Sequence, residues 1–295
     1  MQFRHVLLAL TIAFVWGSNF IVAKFGMDEI PPFLLLCLRF IFSTFPLIFF
    51  IPKPKELSWS LMTGIALTLG VGKFSFVFWS LNFGFSPGLA SLLLQTQVLF
   101  TLILSKVFFK SQISQKQVIG MIVAFLGIGV VAQETNSNTN IPGFICIMMA
   151  AALWASANML FRRAKNVDAL SLVIWMGLIP PLPLLGLSFA IEGYDAIKDS
   201  LTHMTYNGFL SLAFIVIAAT WIGTTLWAYL FKIYDASVVA PYALLIPVFG
   251  ISFSWLVFDE TYSLVTMLGC LLILGGLLIN QWHPKHISHP SSVKA

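Results

Sequence analysis

The sequence predicts an all-α integral membrane protein whose ten transmembrane helices form two inverted five-helix repeats. Three observations predict it: an apolar composition, ten apolar runs of bilayer length, and a one-sided distribution of Lys and Arg. Hydrophobic residues make up 59% of the 295 residues and charged residues 9%, against about 45–50% and about 25% in soluble domains. Mean hydropathy is +0.93. Such a chain cannot cover itself with a polar surface, which excludes a water-soluble enzyme and a nucleic-acid binder. The net charge of +5 is spread over short loops, a pattern that orients a protein in a bilayer and leaves no nucleic-acid footprint. Cys37, Cys146 and Cys270 all lie in apolar runs without metal-ligand spacing and read as packed thiols.

A helix needs about 20 apolar residues to cross a hydrocarbon core of roughly 30 Å. Runs of that length centre near Val15, Phe42, Val71, Val98 and Ala124 in the first half of the chain. In the second half they centre near Ala151, Ile179, Ile217, Phe249 and Leu272. The first run follows Arg4 but is too long for a signal-peptide core and has no A-x-A-like cleavage site, so it is kept as a span. Pro180, Pro181 and Pro183 interrupt helix seven, Pro46 occupies the related site in helix two, and Pro241 and Pro247 break helix nine. Proline removes a backbone donor and kinks a helix; these positions suit either the hinges of a moving site or static kinks. Gly120, Gly127, Gly269, Gly275 and Gly276, in the last helix of each half, are expected at close helix contacts.

Orientation follows from a count. With the N-terminus inside, cytoplasmic segments carry Arg4, Lys53, Lys55, Lys106, Lys110, Lys116, Arg162, Arg163, Lys165, Lys232, Lys285 and Lys294, while the opposite loops carry Lys198 alone. Most acids fall outside, although Lys and Arg decide topology. Ten spans with both termini cytoplasmic satisfy this asymmetry; one span more or fewer would scramble it.

The halves meet at the polar run Gln133-Glu-Thr-Asn-Ser-Asn-Thr-Asn140, and they resemble each other. Trp16-Gly-Ser-Asn-Phe-Ile-Val-Ala-Lys24 recurs as Trp154-Ala-Ser-Ala-Asn-Met-Leu-Phe-Arg162. Ala90-Ser-Leu-Leu-Leu-Gln-Thr-Gln97 recurs as Ala240-Pro-Tyr-Ala-Leu-Leu-Ile-Pro247. An odd number of helices per copy makes the copies cross in opposite senses, a design typical of secondary transporters with substrate held between the copies.

Trp16-Gly-Ser-Asn-Phe20, Pro31-Pro32 with Leu38-Arg39-Phe40, and Gly88-Leu-Ala-Ser-Leu92 resemble the EamA family of the drug/metabolite transporter superfamily. Ser171-Leu-Val-Ile-Trp175, Ile179-Pro-Pro-Leu-Pro183 and Val239-Ala-Pro-Tyr-Ala-Leu-Leu-Ile-Pro247 look most like its O-acetylserine/cysteine exporter branch. The resemblance runs from about residue 5 to 282. It implies two EamA repeats, at 6–132 and 141–282, followed by a polar cytoplasmic tail at 283–295. It also implies a bacterial inner-membrane exporter of small metabolites, with a central cavity shared by the repeats. The chain departs from the family where fourth helices commonly end in an acidic pair. Asp259-Glu260 keeps it, but Phe109-Lys-Ser-Gln112 does not. Lys73 also stands where a neutral polar residue is expected.

Ionisable residues inside spans are costly and are functional candidates by default. Arg39 lies about 9 Å in from the outer start of its helix and Lys73 roughly 18 Å from the cytoplasmic start of its own. Lys24 is near the outer end of helix one. The functional reading is an electropositive wall for substrate carboxylates, Arg offering a bidentate fork; the alternative is snorkelling or bonding to backbone carbonyls. Polar residues form stripes: Gln97, Thr101 and Ser105 on one face of helix four, Ser91 and Gln95 on another. Trp16, Asn19 and Lys24 share a side of helix one, and Thr220, Thr224 and Trp227 a side of helix eight. Such stripes suit the lining for a zwitterion, or else join helix to helix. The repeat pairs Trp16 with Trp154 and sets Asn158 in the second block, while Trp175 belongs to the branch-like motif. The candidate substrate-binding residues are therefore Lys73, Arg39, Trp16, Asn19, Gln97, Trp154, Asn158, Trp175 and Thr224.

No Gly-rich phosphate loop, HExxH motif, Cys/His cluster or nucleophile–base pair appears, so neither cofactor nor metal nor enzymatic activity is expected. His5, His203, His283, His286 and His289 lie at the ends or in a loop, leaving no histidine relay across the membrane. The expected partners are a small-molecule substrate and the bilayer, with no nucleic acid and no obligatory protein. The expected activity is export of amino acids or derivatives such as cysteine and O-acetylserine, by facilitated or exchange transport under alternating access. The alternatives are export of drugs or other amphiphiles, and a membrane enzyme or lipid-handling protein.

Overall fold

The structure, a computed structural model, describes residues 1–55, 57–134, 140–161, 163–164, 167–234 and 236–281. The tail 283–295, positions 135–139 of the polar junction, and Arg162, Lys165, Lys285 and Lys294 of the charge count lie outside the described residues. Among the described residues there is helix and no strand. Lipid supplies no hydrogen-bond partners, so each segment must satisfy its own backbone, and a helix does so.

The five helices of the first half are α1 (Phe3–Met27), α2 (Pro32–Phe49), α3 (Trp59–Asn82), α4 (Pro87–Phe109) and α5 (Gln115–Gln133). In the second half, α6 (Ile141–Phe161) is followed by α7 (Leu170–Met176 and Pro181–Glu192), α8 (Tyr206–Leu230), α9 (Ala240–Phe258) and α10 (Leu264–Gln281). Nine of the ten centres expected from the sequence fall inside a helix, and the tenth, Ile179, falls in the break between the two halves of α7. Helix starts carry the residues that satisfy free N–H groups. Pro32 opens α2. The Ser58 hydroxyl accepts from Leu61 N at 3.3 Å, and that of Ser86, just before Pro87, from Leu89 N at 3.1 Å. The α7 prolines produce a 44° bend between its two halves, and α2 leaves α-helical geometry after Thr44, just before Pro46.

Packing maps onto itself when the halves are exchanged. Helix α3 packs on α6 as α8 packs on α1, and α4 on α6 as α9 on α1, while α2–α7, α4–α9 and α5–α10 pair each helix with its own counterpart. The equivalent helices α3 and α8 both widen into π-helical turns, at Ala66–Lys73 and Phe214–Ile222. Helices α4 and α9 both end on a left-handed residue, Lys110 and Asp259, each at φ 51°. Two L-residues in that uncommon conformation at matching positions mark the duplication more sharply than sequence identity does.

Four of the five glycines expected at close contacts bring α5 and α10 together. A Cβ on Gly120 would stand 2.6 Å from Gly276 O, and one on Gly127 2.7 Å from Gly269 O. Gly275 departs from that expectation, since nothing lies within 4 Å of its Cβ position. The segment 193–205, read from the sequence as a loop, instead contains a helix at Tyr194–His203 that buries Ile197 and Ser200. The Ser200 hydroxyl donates to Glu29 O at 2.9 Å.

Candidate functional site

Seven helices surround one cavity: α1 supplies Trp16 and Asn19, α2 Arg39, α3 Lys73 and Phe74, and α4 Ser91 and Gln95. Trp154 comes from α6, Thr224 from α8 and Ile246 from α9. The space enclosed between them is about 210 Å³. Both repeats contribute. Six of the nine residues expected at a substrate site line this cavity: Lys73, Arg39, Trp16, Asn19, Trp154 and Thr224.

Arg39 and Lys73 are each only 8% exposed. The Arg39 guanidinium donates through Nη2 to Thr220 Oγ1 at 3.3 Å, and that hydroxyl donates to Ile215 O at 2.8 Å inside the widened stretch of α8. Arg39 Nε and Nη1 are buried without a partner, and Lys73 Nζ has no hydrogen-bond partner among the described residues. Both cations rest on one ring: Arg39 Cζ is 3.9 Å and Lys73 Nζ 3.6 Å from the Phe74 centroid, so the charges are at most about 7.5 Å apart. Lys73 Nζ also lies 4.8 Å from the Trp154 ring. Cation–π contacts recover part of the lost hydration, but a buried charge without a counter-ion costs several kcal/mol. Among the described residues the one ion pair joins His203 to Asp199, on the surface helix. The cavity wall therefore combines two uncompensated cations and free donors with an apolar surround.

The remaining polar groups are fewer. Asn19 Oδ1 is buried and unpartnered. Trp16 Nε1 donates to Ala219 O at 2.9 Å, and its ring packs on Trp227 at 5.4 Å. Gln95 Nε2 donates to Ala243 O at 2.9 Å, tying the turn that interrupts α4 to the 3₁₀ turn Ala240–Leu244 that opens α9.

Gln97, Asn158 and Trp175 lie outside the lining. Asn158 Nδ2 donates to Gln97 Oε1 at 2.7 Å and to Thr101 Oγ1 at 3.1 Å, and Thr101 donates to Gln97 at 3.3 Å. With Ser105 donating to Met159 Sδ at 3.6 Å, this whole stripe of α4 faces α6 and joins the two helices. Trp175 Nε1 donates to Ile51 O at 2.8 Å, fastening α7 to the end of α2. Lys24 Nζ reaches Leu81 O of α3 at 3.5 Å. Sequence reasoning did not single out Phe74, the ring that carries both cations, although it is adjacent to Lys73.

Three carboxylates join the halves on the face that the Lys/Arg count predicts to lie outside. Glu29 accepts from Thr205 N at 3.1 Å, Thr205 Oγ1 at 2.6 Å and Gly208 N at 3.1 Å, at the start of α8. Glu192 accepts from Phe33 N at 2.6 Å and Leu34 N at 3.2 Å, at the start of α2. Glu260 accepts from Ser86 Oγ at 2.6 Å, at the start of α4, and from Ser254 and Tyr262. A carboxylate at a helix N-terminus is favoured both by the free N–H groups and by the helix dipole. Burial, reinforced by its bond to Glu260, pushes the Tyr262 phenol above its usual range, so it stays protonated as a donor.

The Thr205 hydroxyl and two backbone N–H groups hold Glu29 below its ordinary value of 4.5. A depressed carboxylate contributes stability above its unfolded pKa and loses it as pH falls through its folded pKa. The melting-temperature gap between wild type and Glu29→Gln is therefore expected to stay constant from pH 8 to about 5 and to close only below that. A gap that closes between pH 7 and 6 would remove Glu29 from this role.

The EamA-like transporter family model matches twice, over residues 3–133 and 141–281. The chain belongs to this family. A "Probable amino-acid metabolite efflux pump" of Salmonella typhimurium is 37% identical over 286 residues, covering 95% of both chains. The Escherichia coli protein of the same description is 36% identical over 286 residues, again covering 95% of both. One crystal structure superimposes with a TM-score of 0.64 over 95% of this chain and 98% of its own at 17% identity, which shows a shared fold. Membership makes the protein a multi-pass membrane transporter, and its two matched segments coincide with the two five-helix halves described above.

Proposed function

We propose that the protein exports small amino-acid metabolites across the bacterial inner membrane, with both termini cytoplasmic, by alternating access between its two repeats. The observation that carries this reading is the buried pair Arg39 and Lys73, facing one cavity built by both repeats with no carboxylate to neutralise it. Two cations with free donors suit the carboxylate common to amino-acid metabolites. The descriptions of the Salmonella and Escherichia relatives support the same substrate class. The substrate set we propose is Lys73, Arg39, Trp16, Asn19, Trp154 and Thr224, with Phe74 holding both cations. Glu29, Glu192 and Glu260 act as the outer gate, whose inter-repeat bonds must break before the cavity opens on that side. No proton-carrying residue is required in this scheme: flux follows the metabolite gradient or exchanges one metabolite for another.

Counterflow in proteoliposomes tests the reading. Vesicles preloaded with cysteine, O-acetylserine or other amino-acid derivatives are expected to show saturable exchange, with and without a pH gradient. Lys73→Gln should lower it. Absence of exchange with every such compound would overturn the amino-acid reading in favour of amphiphile export. A flux that needs the pH gradient and is abolished by neutralising Glu260 would overturn gradient-driven transport.

A further inference from the structure

The cavity is more selective than an amino-acid site has to be. A zwitterion brings an ammonium group as well as a carboxylate, and the ammonium needs an anion, an aromatic face or several neutral acceptors. The lining contains no carboxylate. Of its five aromatic rings, the three nearest the cations or packed on a neighbour are already engaged by the protein, while Phe20 and Phe78 remain as apolar lining. The Phe74 ring has Lys73 at 3.6 Å and Arg39 at 3.9 Å, Trp154 has Lys73 at 4.8 Å, and Trp16 is packed against Trp227 at 5.4 Å. An ammonium entering here would meet two like charges on side chains that are each only 8% exposed, where repulsion is screened less than in bulk water.

What the wall does offer is donors for an anion and, beside the Ser91 and Thr224 hydroxyls and the Gln95 amide, one fully buried acceptor without a partner. Arg39 Nε and Nη1 are unpartnered, and so is the acceptor Asn19 Oδ1. The negative image of that set is a carboxylate beside a single neutral N–H, flanked by hydrocarbon to match Phe20, Ala23, Val77 and Leu94. An α-amino acid acquires this shape when its amino group is acylated. The ammonium becomes an amide N–H, the carboxylate remains, and the acyl chain adds apolar surface.

We propose that the preferred substrates are anionic, N-acylated amino acids rather than the parent zwitterions. The inference deepens the amino-acid export reading and rests on it. It also identifies a driving force. A monoanion leaving a cell that is 100 mV negative inside is driven outward about fifty-fold at equilibrium by the potential alone, with no coupled proton. A zwitterion of zero net charge gains nothing from the potential.

The test compares, on one set of proteoliposomes, N-acetylcysteine and N-acetylserine with cysteine, serine and their methyl esters as competitors and as labelled substrates. Removing the ammonium clash is expected to lower the half-inhibitory concentration of the N-acetyl compound about tenfold or more relative to its parent. The esters, which keep the ammonium and lose the carboxylate, should not compete. Efflux of the N-acetyl compound should accelerate when valinomycin and a potassium gradient make the lumen negative. Lys73→Gln should narrow the gap between acylated and parent compound; wild type alone decides if that variant does not fold. Equal or better competition by the parent, with flux indifferent to the potential, overturns this proposal and leaves the export reading intact. Lack of competition by every compound in the set overturns both.

Discussion

Replacing Arg39 with alanine is expected to lower exchange by roughly 10²–10⁴-fold while leaving the melting temperature unchanged or raised. Two charge-assisted hydrogen bonds to a substrate carboxylate, at about 1.5–3 kcal/mol each, account for the loss. The stability half of the expectation comes from bookkeeping around the guanidinium. One of its nitrogens has a protein partner, Thr220 Oγ1 at 3.3 Å, and two have none. A buried cation in that condition carries a desolvation penalty of several kcal/mol that the fold does not recover. Deleting it relieves that penalty at the expense of some packing on Phe40 and Phe74. Arg39→Lys keeps the charge but not the fork, so its transport should lie between wild type and the alanine variant. Initial exchange rates and thermal unfolding, measured on the same purified samples, decide the matter. An alanine variant that transports like wild type but melts earlier would make Arg39 a structural residue.

The same arithmetic explains why Arg39 and Lys73 were legible in the sequence. A charge inside an apolar run is conspicuous because the bilayer penalises it. The polar stripes were less legible because an i, i+4 spacing names a face of a helix without saying what that face meets. On α4, Gln97 and Thr101 bond to Asn158 of α6, whereas Ser91 and Gln95, on another face of the same helix, line the cavity. Trp175 entered through its motif, which carries no information about depth; its indole is committed to Ile51 O. Phe74 was invisible among 28 phenylalanines, since nothing in its local sequence marks it as the ring under both cations.

At the level of the fold, bilayer thickness made the spans readable, and the α7 prolines made its bend readable. The π-helical stretches Ala66–Lys73 and Phe214–Ile222 contain no proline and keep the apolar pattern of their helices, so no local signal announces them. They still matter to the site, because one ends on Lys73 and the other carries Thr220, the partner of Arg39. The helix Tyr194–His203 escaped for a different reason. At 10 residues it is too short to span, and a search for bilayer-length runs passes over it.

The glycines of α10 give the sharpest contrast that the fold offers. Gly276→Leu is expected to abolish assembly of the α5–α10 pair, and Gly275→Leu, one position away, to be tolerated. A Cβ on Gly276 would lie 2.5 Å from both Ala124 N and Gly120 O. These are backbone atoms on the facing helix and cannot rotate aside as a side chain would, so the helices must separate. Overpacking typically costs about 1–3 kcal/mol where side chains give way, and with backbone opposite the cost should reach about 3 kcal/mol or exceed it. Separation also removes the close van der Waals contact that holds membrane helices together, because lipid supplies no hydrophobic drive between them. Gly275 has nothing within 4 Å, so leucine there adds apolar surface without a clash. Size-exclusion profiles and thermal unfolding in detergent should show aggregated or early-melting protein for the first variant and a wild-type profile for the second. Equal damage from both would mean that helix propensity or insertion, not interhelical distance, governs this helix. Because α5 and α10 each close one repeat, a defect at this seam should reduce the amount of folded transporter without altering the substrate preference of the molecules that remain.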